Sequence, residues 1–435
     1  MQTNFSLAQL ADPKTAEAES IVRKCVHCGL CTATCPTYVT LGNELDSPRG
    51  RIYLIKDMFE NGRDADAETV LHVDRCLSCL SCTTTCPSGV DYMHLIDLAR
   101  AHVEETHARP LPDRLARGVL AAVLPYPARF RAALRMAALA RPFAGLLKKV
   151  PLTRAFGHML DLAPPSVPAS TPFTKSGRFR PENNQRARVA MLSGCAQPVL
   201  KPGINEATIS LLNALGVEVV IAEGESCCGS LTHHMGKEAQ ALASVRNNVD
   251  VWTREIENGG LDAIIITASG CGTTIKDYGH MLASDPAYAA RAARIAGLAR
   301  DITEYLSTLE LPQLPLNGKT VAYHSACSMQ HGQKITGLPK TLLQRAGYKV
   351  KEPAEGHLCC GSAGTYNMLQ PEISAQLKDR KVRNIEATRP DMIATGNIGC
   401  MTQIATATAI PIFHTIELLA EAYSNAAGVD LQSRA

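Results

Sequence analysis

Cysteine spacing defines the chemistry open to this chain. Eight of its sixteen cysteines form two copies of one short run, which start 51 residues apart. The first is Cys25-Val-His-Cys28-Gly-Leu-Cys31-Thr-Ala-Thr-Cys35-Pro36, and the second is Cys76-Leu-Ser-Cys79-Leu-Ser-Cys82-Thr-Thr-Thr-Cys86-Pro87. Both read C-x2-C-x2-C-x3-C-P, a spacing that wraps [4Fe–4S] cubes in pairs. Three closely spaced thiolates hold three irons of one cube, and the cysteine before proline ligates the cube built by the other copy. Cys25, Cys28, Cys31 and Cys86 are therefore expected on one cube, and Cys76, Cys79, Cys82 and Cys35 on the other. Structural zinc is the competing use of paired C-x2-C motifs. A third cysteine at the same interval and a Cys-Pro close, each present twice, argue against it.

The other eight cysteines also fall into matching sets. Cys195, Cys227-Cys228-Gly229 and Cys271 make one; Cys327, Cys359-Cys360-Gly361 and Cys400 make the other. The first interval is 32 residues in both, and the 132-residue period marks a duplicated domain. Four readings stay open for these sets. They are packing as small hydrophobes, four-cysteine zinc, a redox dithiol, and an iron–sulfur cluster that need not be a regular cube. Adjacent cysteines sit awkwardly on a tetrahedral ion. His233, His234, His324 and His331 stand near these sets as candidate ligands or proton donors. Ordinary hydrogen-bonding roles compete with that reading. His27 lies between ligands, and Trp252 reads as core.

Distant cysteines meet only if the intervening elements bring them together. Val189–Leu192, Val217–Ile221 and Ala263–Thr267 read as short apolar strands that each run toward a cysteine, with helices at Ile204–Leu215 and Met235–Glu257 between them. The second copy repeats this, with strands at Thr320–Tyr323, Tyr348–Val350 and Met392–Thr395. Alternating strands and helices imply a parallel sheet, whose ligand sites lie beyond the carboxyl ends of the strands. The expected architecture is multidomain. A mainly α two-cluster domain (1–105) precedes a basic helical segment and a Pro/Ser/Thr linker (106–185). Two duplicated α/β domains with parallel sheets (186–315 and 316–435) follow. Within the first domain, Pro48–Phe59 and Tyr92–Glu105 read as helices.

Composition narrows the function class. Hydrophobic content of 46%, charged content of 20% and a net charge of +3 describe a globular protein with no nucleic-acid signature. The start has no basic n-region or apolar h-region, and no apolar run approaches the ~18 residues of a membrane span. A cytoplasmic protein with reduced thiolates, peripheral at most on the inner membrane face, is expected. From Arg114 to Arg154 there are nine basic residues and no acid. Such a segment suits either an anionic membrane surface or a helical layer with a solvated basic face. No G-x-G-x-x-G after a strand and no Walker run is present, so the electrons that cubes would carry must come from another chain.

Longer strings carry a family resemblance. They include Leu192-Ser-Gly-Cys-Ala-Gln197, Glu223-Gly-Glu-Ser-Cys-Cys-Gly-Ser-Leu231, His357-Leu-Cys-Cys-Gly-Ser-Ala-Gly-Thr-Tyr366 and Asn397-Ile-Gly-Cys400. These resemble the cysteine-rich CCG domains of heterodisulfide reductase and related respiratory subunits. With a two-cluster ferredoxin-type domain ahead of them, the chain resembles the iron–sulfur subunits of glycolate oxidase, with relatives in lactate and glycerol-3-phosphate dehydrogenase complexes. The resemblance implies an oxidoreductase subunit that relays electrons from a flavin-containing partner, which oxidises glycolate or another 2-hydroxyacid, toward a membrane quinone. Thiol or heterodisulfide reduction by the CCG cysteines is the alternative, and a metal-stabilised docking scaffold a third. One departure stands out. The reductase pattern closes each set with C-x2-C, whereas Thr274 and Gln403 occupy that last position here, which leaves four cysteines per set.

Overall fold

The computed structural model of the protein describes residues 1–427 apart from 151, 183 and 310. Residues 428–435, the expected end of the second α/β domain, lie outside the described part. The N-terminal region is helical. Pro13–Arg23, Pro48–Glu60, Ala67–Asp74 and Tyr92–Thr106 enclose a core of Ile21, Ile55, Met58, Val73, Leu95 and Ile96. Three of these helices begin after an aspartate or serine whose side chain accepts a backbone N–H three residues on, and Tyr92–Thr106 is capped in the same way by Asp91.

Two sheets follow. The first joins β1 (Gly177–Phe179), β2 (Ala187–Met191), β3 (Val217–Ile221), β4 (Ala263–Ile266) and β5 (Ala299–Asp301) in the order β1-β3-β2-β4-β5. All neighbours are parallel except β1, which pairs antiparallel with β3 through Gly177↔Ile221. The second joins β6 (Thr320–Tyr323), β7 (Lys349–Lys351), β8 (Met392–Thr395) and β9 (Ile412–His414), all parallel, in the order β7-β6-β8-β9. Dropping β1, the two orders coincide, as duplication requires. Apolar runs such as Ala263-Ile-Ile-Ile266 are buried along their whole length, the pattern of strands covered on both faces.

The α/β domains share one continuous core. Val189, Ile209, Leu212 and Val219 pack with Val321, Leu343, Ile416 and Leu419. The carboxyl ends of the two sheets face each other. His414 Nε2 meets Thr267 O at 2.7 Å, the Ser269 amide donates to Gly396 O at 3.2 Å, and the Ser269 and Ser328 hydroxyls lie 2.7 Å apart.

Two details differ from the sequence reading. The linker ends in the edge strand β1, which the Pro- and Ser-rich composition hid. The helix expected from Met235 starts at Glu238, because Gly236 takes φ +79° against the Arg100 carbonyl, where a Cβ would stand 2.3 Å from the oxygen. The basic segment forms helices Leu111–Val123 and Pro127–Ala140, which bury Leu120 and Leu134, and Leu124 just past the first helix is buried too.

Candidate metal centres

Both ferredoxin-type runs bend the backbone at the same two places. His27 and Gly29 in the first, and Ser78 and Leu80 in the second, have φ of 55°, 81°, 47° and 60°. Left-handed turns on either side of the middle cysteine curl the chain, so that the first three thiols of each run line one cavity. Glycine enters that region readily, whereas Leu80 enters it against the preference of an L side chain. Packing holds the strained residue in place, since Leu80 is 5% exposed.

Cys25, Cys28, Cys31 and Cys86 line the first cavity. Cys35, Cys76, Cys79 and Cys82 line the second, and Cys82 and Tyr92 border both. The structure thus gathers the same two foursomes that the spacing groups. Each is an all-sulfur donor set drawn from both runs, which fits an iron–sulfur cluster. Spacing alone did not point to the polar groups around these sulfurs. Arg51, fully buried on helix Pro48–Glu60, aims Nη1 at Cys35 Sγ (3.8 Å) and donates Nε to His72 O (2.6 Å) and Nη2 to Thr37 Oγ1 (3.0 Å). Tyr92 aims its hydroxyl at Cys76 Sγ (3.8 Å). The one available signal was an arginine on the apolar face of an amphipathic helix. Donors of this kind raise the potential of a thiolate-bound cluster. His27 is half-buried, and burial with the Arg49 charge lowers its pKa.

In the first CCG set, Cys195 follows β2, Cys227 and Cys228 follow β3, and Cys271 sits in helix Ser269–Lys276 beyond β4. The Sγ atoms of Cys195 and Cys227 are 3.6 Å apart. Asn248 accepts the Ser226 amide (2.8 Å) and donates to Cys227 O (3.2 Å), while the Tyr278 hydroxyl donates to Cys228 O (3.0 Å). Burial raises the nearby Glu225 carboxyl to about 8. The second set places Cys327 after β6, Cys359 and Cys360 after β7, and Cys400 in helix Ile398–Ala405 beyond β8. Cys359 Sγ accepts the Gly361 amide and Cys400 Sγ accepts Asn397 Nδ2, both at 3.4 Å. Lys381 is 1% exposed, donates to Glu355 O at 2.7 Å and faces these thiols. Beside it lies His324; burial and the Lys381 charge push it down to about 3, so the imidazole is neutral.

The glycine of each CCG motif is a steric requirement. Gly229 and Gly361 have φ of +88° and +86°, and a Cβ would stand 3.0 Å from Ala241 O and 2.5 Å from Ser374 O. His233 and His234 meet Asp97 of the N-terminal domain, at 3.1 and 3.8 Å, and His331 meets Thr84 Oγ1 at 2.7 Å. Trp252 is fully buried in the first domain's core.

The N-terminal domain abuts the second CCG set directly. Cys79 and Leu77 pack with Cys327, Cys359, Tyr366 and Ile373 in one apolar cluster. Burial and then the charge on Cys327 raise the Cys79 thiol.

Comparisons with known proteins agree with this layout. A 4Fe-4S dicluster domain model matches residues 21–90, and a cysteine-rich domain model matches 189–276 and 321–405. The glycolate oxidase iron-sulfur subunit of Escherichia coli (strain K12) is 43% identical over 424 residues, covering 97% of this chain and 99% of that protein. The probable glycolate oxidase iron-sulfur subunit of Bacillus subtilis (strain 168) is 31% identical over 422 residues, 93% of each. Lactate utilization protein A of Bacillus licheniformis is 26% identical over 220 residues, which is 50% of this chain and 90% of that protein. A paired iron–sulfur domain joined to two CCG domains, matched end to end at this identity, places the chain in the family of glycolate oxidase iron–sulfur subunits.

Proposed function

We propose that this chain is the electron-transfer subunit of a flavin-dependent glycolate dehydrogenase, and that it takes electrons from a flavin-containing subunit toward a membrane quinone. The observation that carries this reading is the arrangement of cysteine sets. Two all-sulfur cavities share the walls Cys82 and Tyr92, and the second shares a further wall, Cys79 against Cys327 and Cys359, with a CCG set. Two [4Fe–4S] cubes on Cys25, Cys28, Cys31, Cys86 and on Cys76, Cys79, Cys82, Cys35 supply one-electron carriage. The chain's own residues bury Cys35, Cys76 and Cys82 of the second set and aim Arg51 at Cys35 Sγ and Tyr92 at Cys76 Sγ, while Cys28 of the first set is exposed. The CCG sets take a further iron–sulfur cluster or zinc.

Thiol-disulfide chemistry at the CCG cysteines fits less well. Nucleophilic thiols are partly exposed thiolates. Here Cys195, Cys228, Cys327 and Cys360 are at most 7% exposed. The hydrogen bond between Cys195 and Cys227 pushes the Cys195 thiol up and the Cys227 thiol down, so burial is what counts against this chemistry.

Among the described residues no helix is long and apolar enough to cross a membrane. Peripheral contact rests on the 111–149 helices, which expose Leu115, Val119, Met136, Leu139, Phe143 and Leu146 beside Arg129, Arg135 and Lys149. An apolar stripe flanked by cations suits an anionic lipid face on the cytoplasmic side. The test is anaerobic co-purification with the flavoprotein, followed by iron and sulfide analysis and glycolate-driven reduction of a quinone in anionic phospholipid vesicles. Cys76→Ser is expected to remove one cube's iron and abolish quinone reduction while flavin reduction by glycolate persists. Undiminished quinone reduction by Cys76→Ser would sink the proposal.

A further inference from the structure

Position 324 separates the two CCG domains chemically. His324 is the first residue beyond β6, its amide donates to Ala394 O at 2.8 Å, and its side chain is 1% exposed. Among the described residues, neither ring nitrogen has a hydrogen-bond partner. A neutral imidazole carries one N–H donor and one lone pair, and leaving a buried polar group unmet is destabilising. The polypeptide therefore buries a two-ended polar group and supplies nothing for either end.

The neighbours indicate what is missing. One ring nitrogen of His324, Cys360 Sγ and Cys400 Sγ all lie within 4.8 Å of one another, and all three residues are buried. From Cys360 the thiols continue through Cys359 to Cys327. Among the described residues, the one other trio this compact is Glu17, His94 and His280, where both His94 nitrogens already meet carboxylates. At the matching place in the first domain stands Leu192, 2% exposed in the apolar cluster around Cys195 and Cys227.

We propose that His324 is a metal ligand. The second CCG domain then holds its metal through an imidazole nitrogen together with the thiolates of Cys360 and Cys400, while the first domain uses thiolates alone. This deepens the metal-binding reading of the CCG sets given above. A borderline-soft ion accepts both donors. With Zn–S near 2.3 Å and Zn–N near 2.0–2.1 Å, donors on a tetrahedral zinc stand about 3.5–3.8 Å apart, inside the observed spread. An iron of an iron–sulfur cluster accepts histidine in place of cysteine too, at a raised potential. Lys381, buried against the same thiols, offsets the negative charge that the thiolates bring. His324 also restores a fifth donor to a set that has four cysteines.

The experiment uses the full chain purified anaerobically with its flavoprotein, as wild type, His324→Leu and His324→Cys. His324→Leu installs the side chain that the first domain already carries there. It is expected to lose the zinc or iron of one centre by elemental analysis, with the ferredoxin-type EPR signals unchanged. His324→Cys is expected to keep that metal. In the wild type, a nitrogen in the metal's shell is expected by zinc-edge absorption if zinc is bound. If iron is bound, it is expected as a 15N-histidine-sensitive coupling in pulsed EPR. Full metal retention by His324→Leu, or a sulfur-only shell in the wild type, would overturn the assignment of His324 and leave the CCG sets as metal sites. A wild type with no zinc and only the iron of two cubes would overturn both readings.

Discussion

The two CCG domains have the same strand order and the same four cysteines, yet they differ in what surrounds the sulfurs and in how they hold the N-terminal domain. The first surrounds its set with Leu192, Asn248 and Tyr278, groups that are uncharged and mostly hydrogen-bonded to backbone. The second presents His324 and Lys381. The docking surfaces differ in the opposite sense. The first domain is held by charges: Lys237 to Glu104 at 2.5 Å, His233 to Asp97 at 3.1 Å, Asp277 to His94 at 3.0 Å, and Glu238 to Lys14. The second is held by the apolar cluster of Leu77, Cys79, Tyr366, Ile373 and Leu377. Duplication preserved the thiol positions, which depend on strand ends. The charged groups are placed differently in the two copies, on the docking surface in the first and beside the sulfurs in the second.

The most severe challenge to this comparison is to remove one thiol from each set. Cys359 packs with Cys79 in one apolar cluster, whereas, among the described residues, the apolar cluster around Cys195, Cys227 and Cys228 contains no residue of the N-terminal domain. Cys359→Ser is therefore expected to cut glycolate-to-quinone turnover by at least about 100-fold, since even outer-shell losses cost 10–100-fold at metal sites. Cys227→Ser is expected to cost about tenfold. Equal losses, measured in the complex with flavin content matched, would mean that the two sets are not distinguished by their contact with the second cube.

A milder challenge replaces the charged neighbour alone. Lys381→Met keeps the length of the side chain and removes both its charge and its donation to Glu355 O. Metal affinity of the second domain is expected to fall about tenfold, the lower end of an outer-shell effect, as read by chelator competition. Asn248→Leu at the comparable helix position should leave that affinity unchanged. It should instead destabilise the first domain by about 1–3 kcal/mol, because the Ser226 amide loses its acceptor. Indistinguishable chelator curves for wild type and Lys381→Met would remove the electrostatic half of the comparison.

Local patterns were legible in the sequence, and contacts between distant segments were not. The ferredoxin-type foursomes follow from spacing within runs of eleven residues, and the CCG strands follow from apolar runs that end at cysteines. The short edges β1, β5 and β9 carry three residues each, too few for a period. His324 could be noticed beside Cys327, yet the thiols it meets, Cys360 and Cys400, are 36 and 76 residues away. Counting charge in a window misled in a similar way. The stretch from Arg114 to Arg154 holds no acid, but Arg117 is buried against Asp74 and Asp113, Lys148 meets Asp161, and Arg154 meets Glu372. The basic face is smaller than its sequence implied, because the acids that neutralise it come from elsewhere in the chain.

The smallest expected effect concerns the charged docking surface, and it has a definite sign. His94 donates Nδ1 to Asp91 (2.6 Å) and Nε2 to Asp277 (3.0 Å), stacks on His280 at 3.6 Å, and lies near Glu17, which pairs with His280. Burial alone would lower the imidazolium pKa, but the bonds to Asp277 and Asp91 outweigh it and raise it to about 10. A folded-state value above the unfolded ~6.5 means that the stabilisation is complete below about pH 6.5 and is lost as pH rises toward 10. Its size should be about 2 kcal/mol, that of charge-assisted hydrogen bonds in a partly exposed site. His94→Gln keeps a donor and removes the titration. The thermal midpoint of the wild type is expected to exceed that of His94→Gln most at pH 6.5, with the gap closing by pH 10. No such convergence is expected for Tyr366→Phe, which alters the apolar docking surface without touching a group that titrates in this range. A gap for His94→Gln that stays constant with pH would show that the first domain, like the second, is held by packing rather than by charge.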